Sequence, residues 1–190
     1  MRARKSVIIG AILMLALGVS GCAAQGQTTT GTPPPRATAA PASGAATTTF
    51  GSGTALSYDC DQLLDGVTLA ALDASLTRDT DVTPVPGSSA EEATAIKGTA
   101  CSWSDANSKT TLVVTAAKPD ATTLDTLKTA AQSGTPATQF GTFVTAYTRG
   151  TELQLFTTDG YWATADSALL SDPAKLLTMG QILLEELPAG

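Results

Sequence analysis

The chain has 190 residues, 43% hydrophobic and only 5% aromatic, and its 11 Lys and Arg against 17 Asp and Glu give a net charge of −6, with three cysteines and no histidine. Without histidine, neither a Ser-His-Asp nor a Cys-His nucleophilic site, nor an imidazole-held zinc or haem, can be built from this chain alone. The inventory therefore argues against most hydrolase and oxidoreductase chemistry, and no cofactor is expected.

Arg2, Arg4 and Lys5 precede a 13-residue apolar run, Val7 to Val19. A membrane-spanning helix needs roughly 20 such residues, so residues 1–21 read as a signal peptide. The following Val19-Ser20-Gly21-Cys22 resembles the lipobox of bacterial lipoproteins. The resemblance implies cleavage before Cys22, a thioether-linked diacylglycerol on its sulfur and acylation of the new N-terminus. An ordinary secretory signal followed by a coincidental cysteine is the alternative. Two or more acyl chains anchor stably where one is marginal, so the expected address is the extracytoplasmic face of the cell membrane. Removal of residues 1–21 leaves eight basic and 17 acidic residues, a charge of −9. Such a surface disfavours nucleic acid and anionic lipid headgroups, and leaves membrane attachment to the acyl chains.

Residues 22–54 form the lipidated Cys22 and a tether. Of the 32 residues from Ala23 to Thr54, 28 are Ala, Gly, Ser, Thr or Pro, the exceptions being Gln25, Gln27, Arg36 and Phe50. A stretch with so little to bury does not compact, and Pro33-Pro34-Pro35 favours extended polyproline geometry. As a flexible coil it spans on the order of 30 Å. Its Thr- and Pro-rich composition also suits O-glycosylation.

Ala55 to Gly190 is then 136 residues, the size of one globular domain. Export places its two cysteines, Cys60 and Cys101, outside the reducing cytosol, which favours a disulfide between them. A redox pair or metal thiolates compete weakly, since there is no C-x-x-C and no histidine or third domain cysteine to complete a zinc site.

In chain order, Cys60 to Leu64 reads as one helical turn, and Thr68 as the cap of a helix over Leu69 to Leu76. Ser88 or Ser89, with Glu91 and Glu92, opens a short helix that stops at Gly98. The period then changes to two, with strands over Ala100–Asp105 and Thr110–Lys118. Pro119 suits the first turn of a helix carrying Leu124, Leu127 and Ala131 and ending at Gly134. Three strands follow, Thr142–Thr148, Glu152–Thr158 and Tyr161–Ala165, joined by Arg149-Gly150 and Asp159-Gly160, the latter the strongest hairpin signal in the chain. Asp172 and Pro173 start a last helix running to Leu187. Together these predict an α+β domain: an antiparallel sheet of about five strands covered by helices, with one disulfide.

The lipobox cysteine, the Thr/Pro/Ala-rich tether, Cys60-Asp61-Gln62-Leu63-Leu64 and Cys101-Ser102-Trp103 together resemble the small actinobacterial cell-envelope lipoproteins of unknown function. The resemblance implies an extracytoplasmic α+β fold with a Cys60–Cys101 bridge, and it carries over no catalytic residue.

Other chemistry-bearing residues have plainer readings. Asp59, Asp61, Asp65 and Gly66 only partly match a calcium loop, because Leu63 stands where a ligand should alternate; helix-start aspartates fit them better. Asp79 and Asp81 read as a solvated acidic loop. Glu91-Glu92 and Glu185-Glu186 are helix neighbours that point apart. No serine lies in a nucleophile elbow, and no glycine-rich loop precedes a helix. Trp103, Tyr161 and Trp162 read first as core anchors and second as candidate ligand-lining residues. The expected function is a non-enzymatic binding or accessory module that meets another envelope protein. The alternatives are a carrier or sensor of an apolar, lipid-like ligand, which requires a cavity between sheet and helices, and an envelope enzyme working through two facing carboxylates.

Overall fold

The computed structural model describes residues 50–187. Cys22, the signal peptide and most of the tether lie outside the described residues. Among the described residues there are eight strands: β1 (Gly53–Thr54), β2 (Thr77–Arg78), β3 (Thr99–Ser104), β4 (Thr111–Pro119), β5 (Thr135–Pro136), β6 (Val144–Arg149), β7 (Glu152–Thr157) and β8 (Trp162–Asp166). They form one antiparallel sheet in the order β2-β3-β4-β8-β7-β6-β5, and β1 pairs with the Lys118–Pro119 end of β4. Five α-helices accompany it: α1 (Cys60–Leu63), α2 (Gly66–Asp73), α3 (Ser89–Ala95), α4 (Ala121–Ala131) and α5 (Pro173–Glu186).

The α+β class, the antiparallel sheet and the disulfide agree with the sequence reading; the strand number is higher. All five expected strands exist, and the three extra ones are two residues long, too short to carry a period. Residues from Phe50 onward belong to the fold, five positions ahead of the Ala55 boundary. Phe50 packs against the apolar cluster that includes Ile96 and Trp162, and Asp120 N–H donates to the Ser52 carbonyl.

Two helix starts also differ from expectation. Asp65, not Thr68, caps α2, its carboxylate accepting from the backbone N–H groups of Val67 and Thr68 at 3.0 and 2.7 Å. A carboxylate reaches two orphan donors at once, which moves the helix start ahead of Thr68. Pro119 ends β4 instead of opening α4, and Asp120 caps that helix by accepting from Thr123 N–H at 2.8 Å. Ser88 caps α3. Lys97 takes the left-handed conformation after α3 (φ 67°). Gly98 is required for space, because a Cβ there would press on the Ala116 carbonyl and the Ala117 side chain.

Alternate residues of the strands face opposite layers. One face carries Cys101, Trp103, Leu112, Val114, Leu153, Leu155 and Ala163, covered by α1, α2 and α5 through Leu63, Leu72, Met179 and Leu183. The other carries Ala117, Phe156 and Trp162 beneath Ala93 of α3, Ile96 just past its end, and Leu124 and Leu127 of α4. Tyr147 meets Phe156 edge to face at 6.5 Å. Both hairpin glycines adopt positive φ, Gly150 at 63° and Gly160 at 84°, as tight turns between twisted strands demand. In the β3–β4 connection, the Ser108 hydroxyl and the N–H groups of Asn107 and Ser108 stabilise the Asp105 carboxylate and lower its pKa to about 2.

Cys60 and Cys101 are bonded with Cα atoms 5.6 Å apart, tying the first residue of α1 to the middle of β3. The bridge closes a loop across 41 positions, for which chain entropy gives about 4 kcal/mol. The double substitution Cys60→Ala/Cys101→Ala is therefore expected to lower the unfolding free energy by about 4 kcal/mol, measured by urea denaturation; an unchanged midpoint would refute this role.

Candidate functional site

The second face of the sheet changes character along the strands. Ala117, Trp162 and Phe156 form an apolar row across β4, β8 and β7. The next row is polar yet buried: Thr115, Thr164 and Gln154, with the two threonine hydroxyls 2.7 Å apart. One row further, Ser102, Val113, Asp166, Glu152 and Arg149 are successive cross-strand partners from β3 to β6. Helices α3 and α4 roof the apolar row. Beyond them, residues 79–88 arch over the polar end and leave a cleft of about 570 Å³, a size ordinary for ligand pockets.

The floor of the cleft comprises Ser102, Thr111, Val113, Glu152, Thr164 and Asp166. Its arch supplies Asp81, Val82, Thr83, Pro84 and Val85, and the start of α3 supplies Ser88, Ser89 and Ala90. Among the described residues no Lys or Arg lines it. The arch is fixed at its base by Asp79, whose carboxylate accepts from the hydroxyls of Ser102 and Ser104, both at 2.6 Å. Those hydroxyls hold the Asp79 carboxyl below the usual range. Asp79 is thus a structural latch of the acidic loop expected to be solvated, while Asp81 faces the cleft.

Glu152 is 9% exposed, and a buried carboxylate must be paired and hydrogen-bonded. Oε2 accepts from Arg149 Nη2 and Gln154 Nε2, each at 3.0 Å, and Oε1 accepts from the Ser89 hydroxyl. This arrangement clips the first residue of α3 to β7. Directly opposite on β8, Asp166 accepts from the Thr151 hydroxyl at 2.7 Å. Among the described residues, neither Asp81 nor Asp166 has an ion-pair partner.

The aromatic candidates lie elsewhere. Trp103 and Trp162 are each 1% exposed on opposite faces of the sheet. Tyr161, also buried, belongs to the first face, where Lys118 Nζ sits 4.5 Å above its ring. None of the three lines the cleft, and Tyr161 and Trp162, adjacent in sequence, share no surface because strand neighbours point apart. The helix-start aspartates serve separately: Asp59 caps α1, Asp65 caps α2, and Asp61 pairs with Arg78 at 3.1 Å. Sequence reasoning missed Glu152 and Asp166. The alternation Glu152-Leu153-Gln154-Leu155 marks two faces, but a polar face ordinarily means solvent, and nothing local signals the arch that covers it.

Glu92, on α3, is half-buried, and both desolvation and the nearby Glu152 carboxylate raise its pKa. With the folded-state value above the unfolded one, its contribution to stability is complete in acid and lost as pH rises through the folded value. Glu92→Gln is therefore expected to raise Tm at pH 7 and to change it little below about pH 4, where both side chains are neutral. Thermal melts at the two pH values test the sign; a lower Tm at pH 7 would contradict it.

Among the described residues no helix is long and apolar enough to cross a membrane. Compared with protein-family models, curated proteins and solved structures, the chain matches none, so the cleft's own chemistry is the ground for reading its function.

Proposed function

We propose that this chain is a lipid-anchored, extracytoplasmic lipoprotein of the cell envelope whose domain acts as a non-enzymatic binding module, with the cleft on the second face of the sheet as its contact site for another envelope protein. The supporting observation is the cleft itself, lined by an apolar arch and a polar floor under residues 79–88. A role as binder fits better than a carboxylate enzyme centred on Glu152, because both of its oxygens are already engaged by Arg149, Gln154 and Ser89. A carboxylate that must accept or deliver a proton to substrate needs a free oxygen within reach of it. A lipid-like ligand fits less well, since it would strip water from Asp81 and Asp166 without pairing them.

Anchoring rests on the basic residues, the apolar run and Cys22 at the head of the chain. Cys22→Ala is expected to lose both the added acyl mass and the cleavage before residue 22, read by intact mass spectrometry of the membrane fraction, with the domain's circular dichroism unchanged. Wild-type chain that carries no acyl mass on Cys22, or a variant still cut and acylated there, would overturn the anchor. For the contact site, a photoreactive benzoylphenylalanine at Val85, on the arch, should crosslink a discrete partner in intact cells, whereas the same group at Thr126, on the exposed side of α4, should not. Identical adducts from both positions, or none from Val85, would overturn the module reading.

A further inference from the structure

The cleft is one-signed. Among the described residues, Asp81, Glu152 and Asp166 are its only ionisable lining residues, and of these Glu152 alone has a cation, Arg149 at 3.0 Å. A cleft lined by charge of one sign and walled by low-dielectric groups concentrates the opposite charge, and the mature chain's net charge of −9 adds to that field. Two features decide what kind of cation fits. Among the described residues no three or more His, Cys, Asp or Glu side chains stand together as a metal site, so the carboxylates suit an organic cation better than a bare ion. The arch meanwhile contributes Val82, Pro84 and Val85, and Ala90 and Val113 complete an apolar lining. Such walls match the aliphatic stem of lysine or arginine, whose methylenes bury while the charged head stays solvated or paired.

Resting on the module reading above, we propose that the cleft recognises a basic side chain presented by a partner polypeptide, a lysine or arginine flanked by aliphatic residues. Its stem lies between Val82 and Val113, and its head lies toward Asp166 and Asp81. A polypeptide source follows from Val85, which is 68% exposed at the arch: a lone amine would leave that apolar surface wet, whereas residues beside the basic side chain would cover it. The amino end of α3 does not compete as an anion site, since Ser88 Oγ already receives the Glu91 N–H and Glu91 receives the Gly87 N–H.

The test is a nuclear magnetic resonance titration of the whole mature chain with two capped pentapeptides, Ala-Val-Lys-Val-Ala and Ala-Val-Glu-Val-Ala, and with n-butylamine. The lysine peptide should perturb the amides of Val113, Glu152 and Thr164 and bind about tenfold or more tighter than the glutamate peptide, with the gap narrowing in high salt. The double variant Asp81→Asn/Asp166→Asn, which keeps the shape and the acceptor for Thr151, should erase that gap. Equal or tighter binding of the glutamate peptide, a preference surviving in the double variant, or butylamine binding as tightly as the lysine peptide would each overturn the proposal. Failure here alongside a specific crosslink from Val85 would remove the cationic partner and leave the module reading standing. Loss of the crosslink would remove both.

Discussion

A sheet buried on both faces governs this molecule. Every residue of β8 up to Ala165 and of β7 up to Phe156 is buried, so neither face can be left to solvent, and two separate layers must be recruited to cover them. The first layer is assembled from α1, α2 and α5 around leucines, and the disulfide secures its weakest part, a four-residue α1 that could not hold its position by helix propensity alone. The second layer is thinner. Its two helices, α3 and α4, are seven and 11 residues long, and they cover the apolar row around Trp162 without reaching the far end of the sheet.

The polar end is where that shortage becomes chemistry. Thr115, Thr164 and Gln154 lie buried and largely satisfy one another or their neighbours, forming a transition from the dry aromatic row to the wet cleft. Glu152 sits at the boundary, charged and nearly enclosed. Its ligands come from three elements, β6, β7 and α3, so the carboxylate acts as a fastener whose cost in desolvation is offset only while all three donors remain in place. Glu92 is strained electrostatically by the same charge. One buried acid thereby sets the position of α3 and the shape of the cleft wall beside it. The indole N–H of Trp162 has no acceptor among the described residues; the apolar row is otherwise satisfied.

How much of this could be read from the amino acids varies with the range of the interaction. The five long strands, the turns at Gly150 and Gly160 and the Cys60–Cys101 pairing follow from local period, turn chemistry and compartment, all of which act over a few residues or through simple counting. The short strands and two of the helix starts do not. Asp65 and Asp120 outcompete their neighbours by the number of donors they reach, a matter of geometry invisible in a linear string. The cleft is the least legible feature, because Ser102 meets the Glu152–Asp166 pair of β7 and β8 only through the order in which β4 sits between β3 and β8. Trp103, Tyr161 and Trp162 illustrate the converse: conspicuous residues in an aromatic-poor chain, absorbed by packing.

Strand β4 also separates two mechanical roles. Its Pro119 end receives β1 and, through Asp120, the carbonyl and hydroxyl of Ser52; its Thr111–Val113 end floors the cleft. Six residue steps of extended chain separate Val113 from Pro119, about 20 Å. Tension arriving at Phe50 from the N-terminal side would load the short β1 ladder and the Asp120 corner first. The entry of the chain into the sheet and the cleft thus lie at opposite ends of β4, so strain at the entry falls on residues that do not line the cleft.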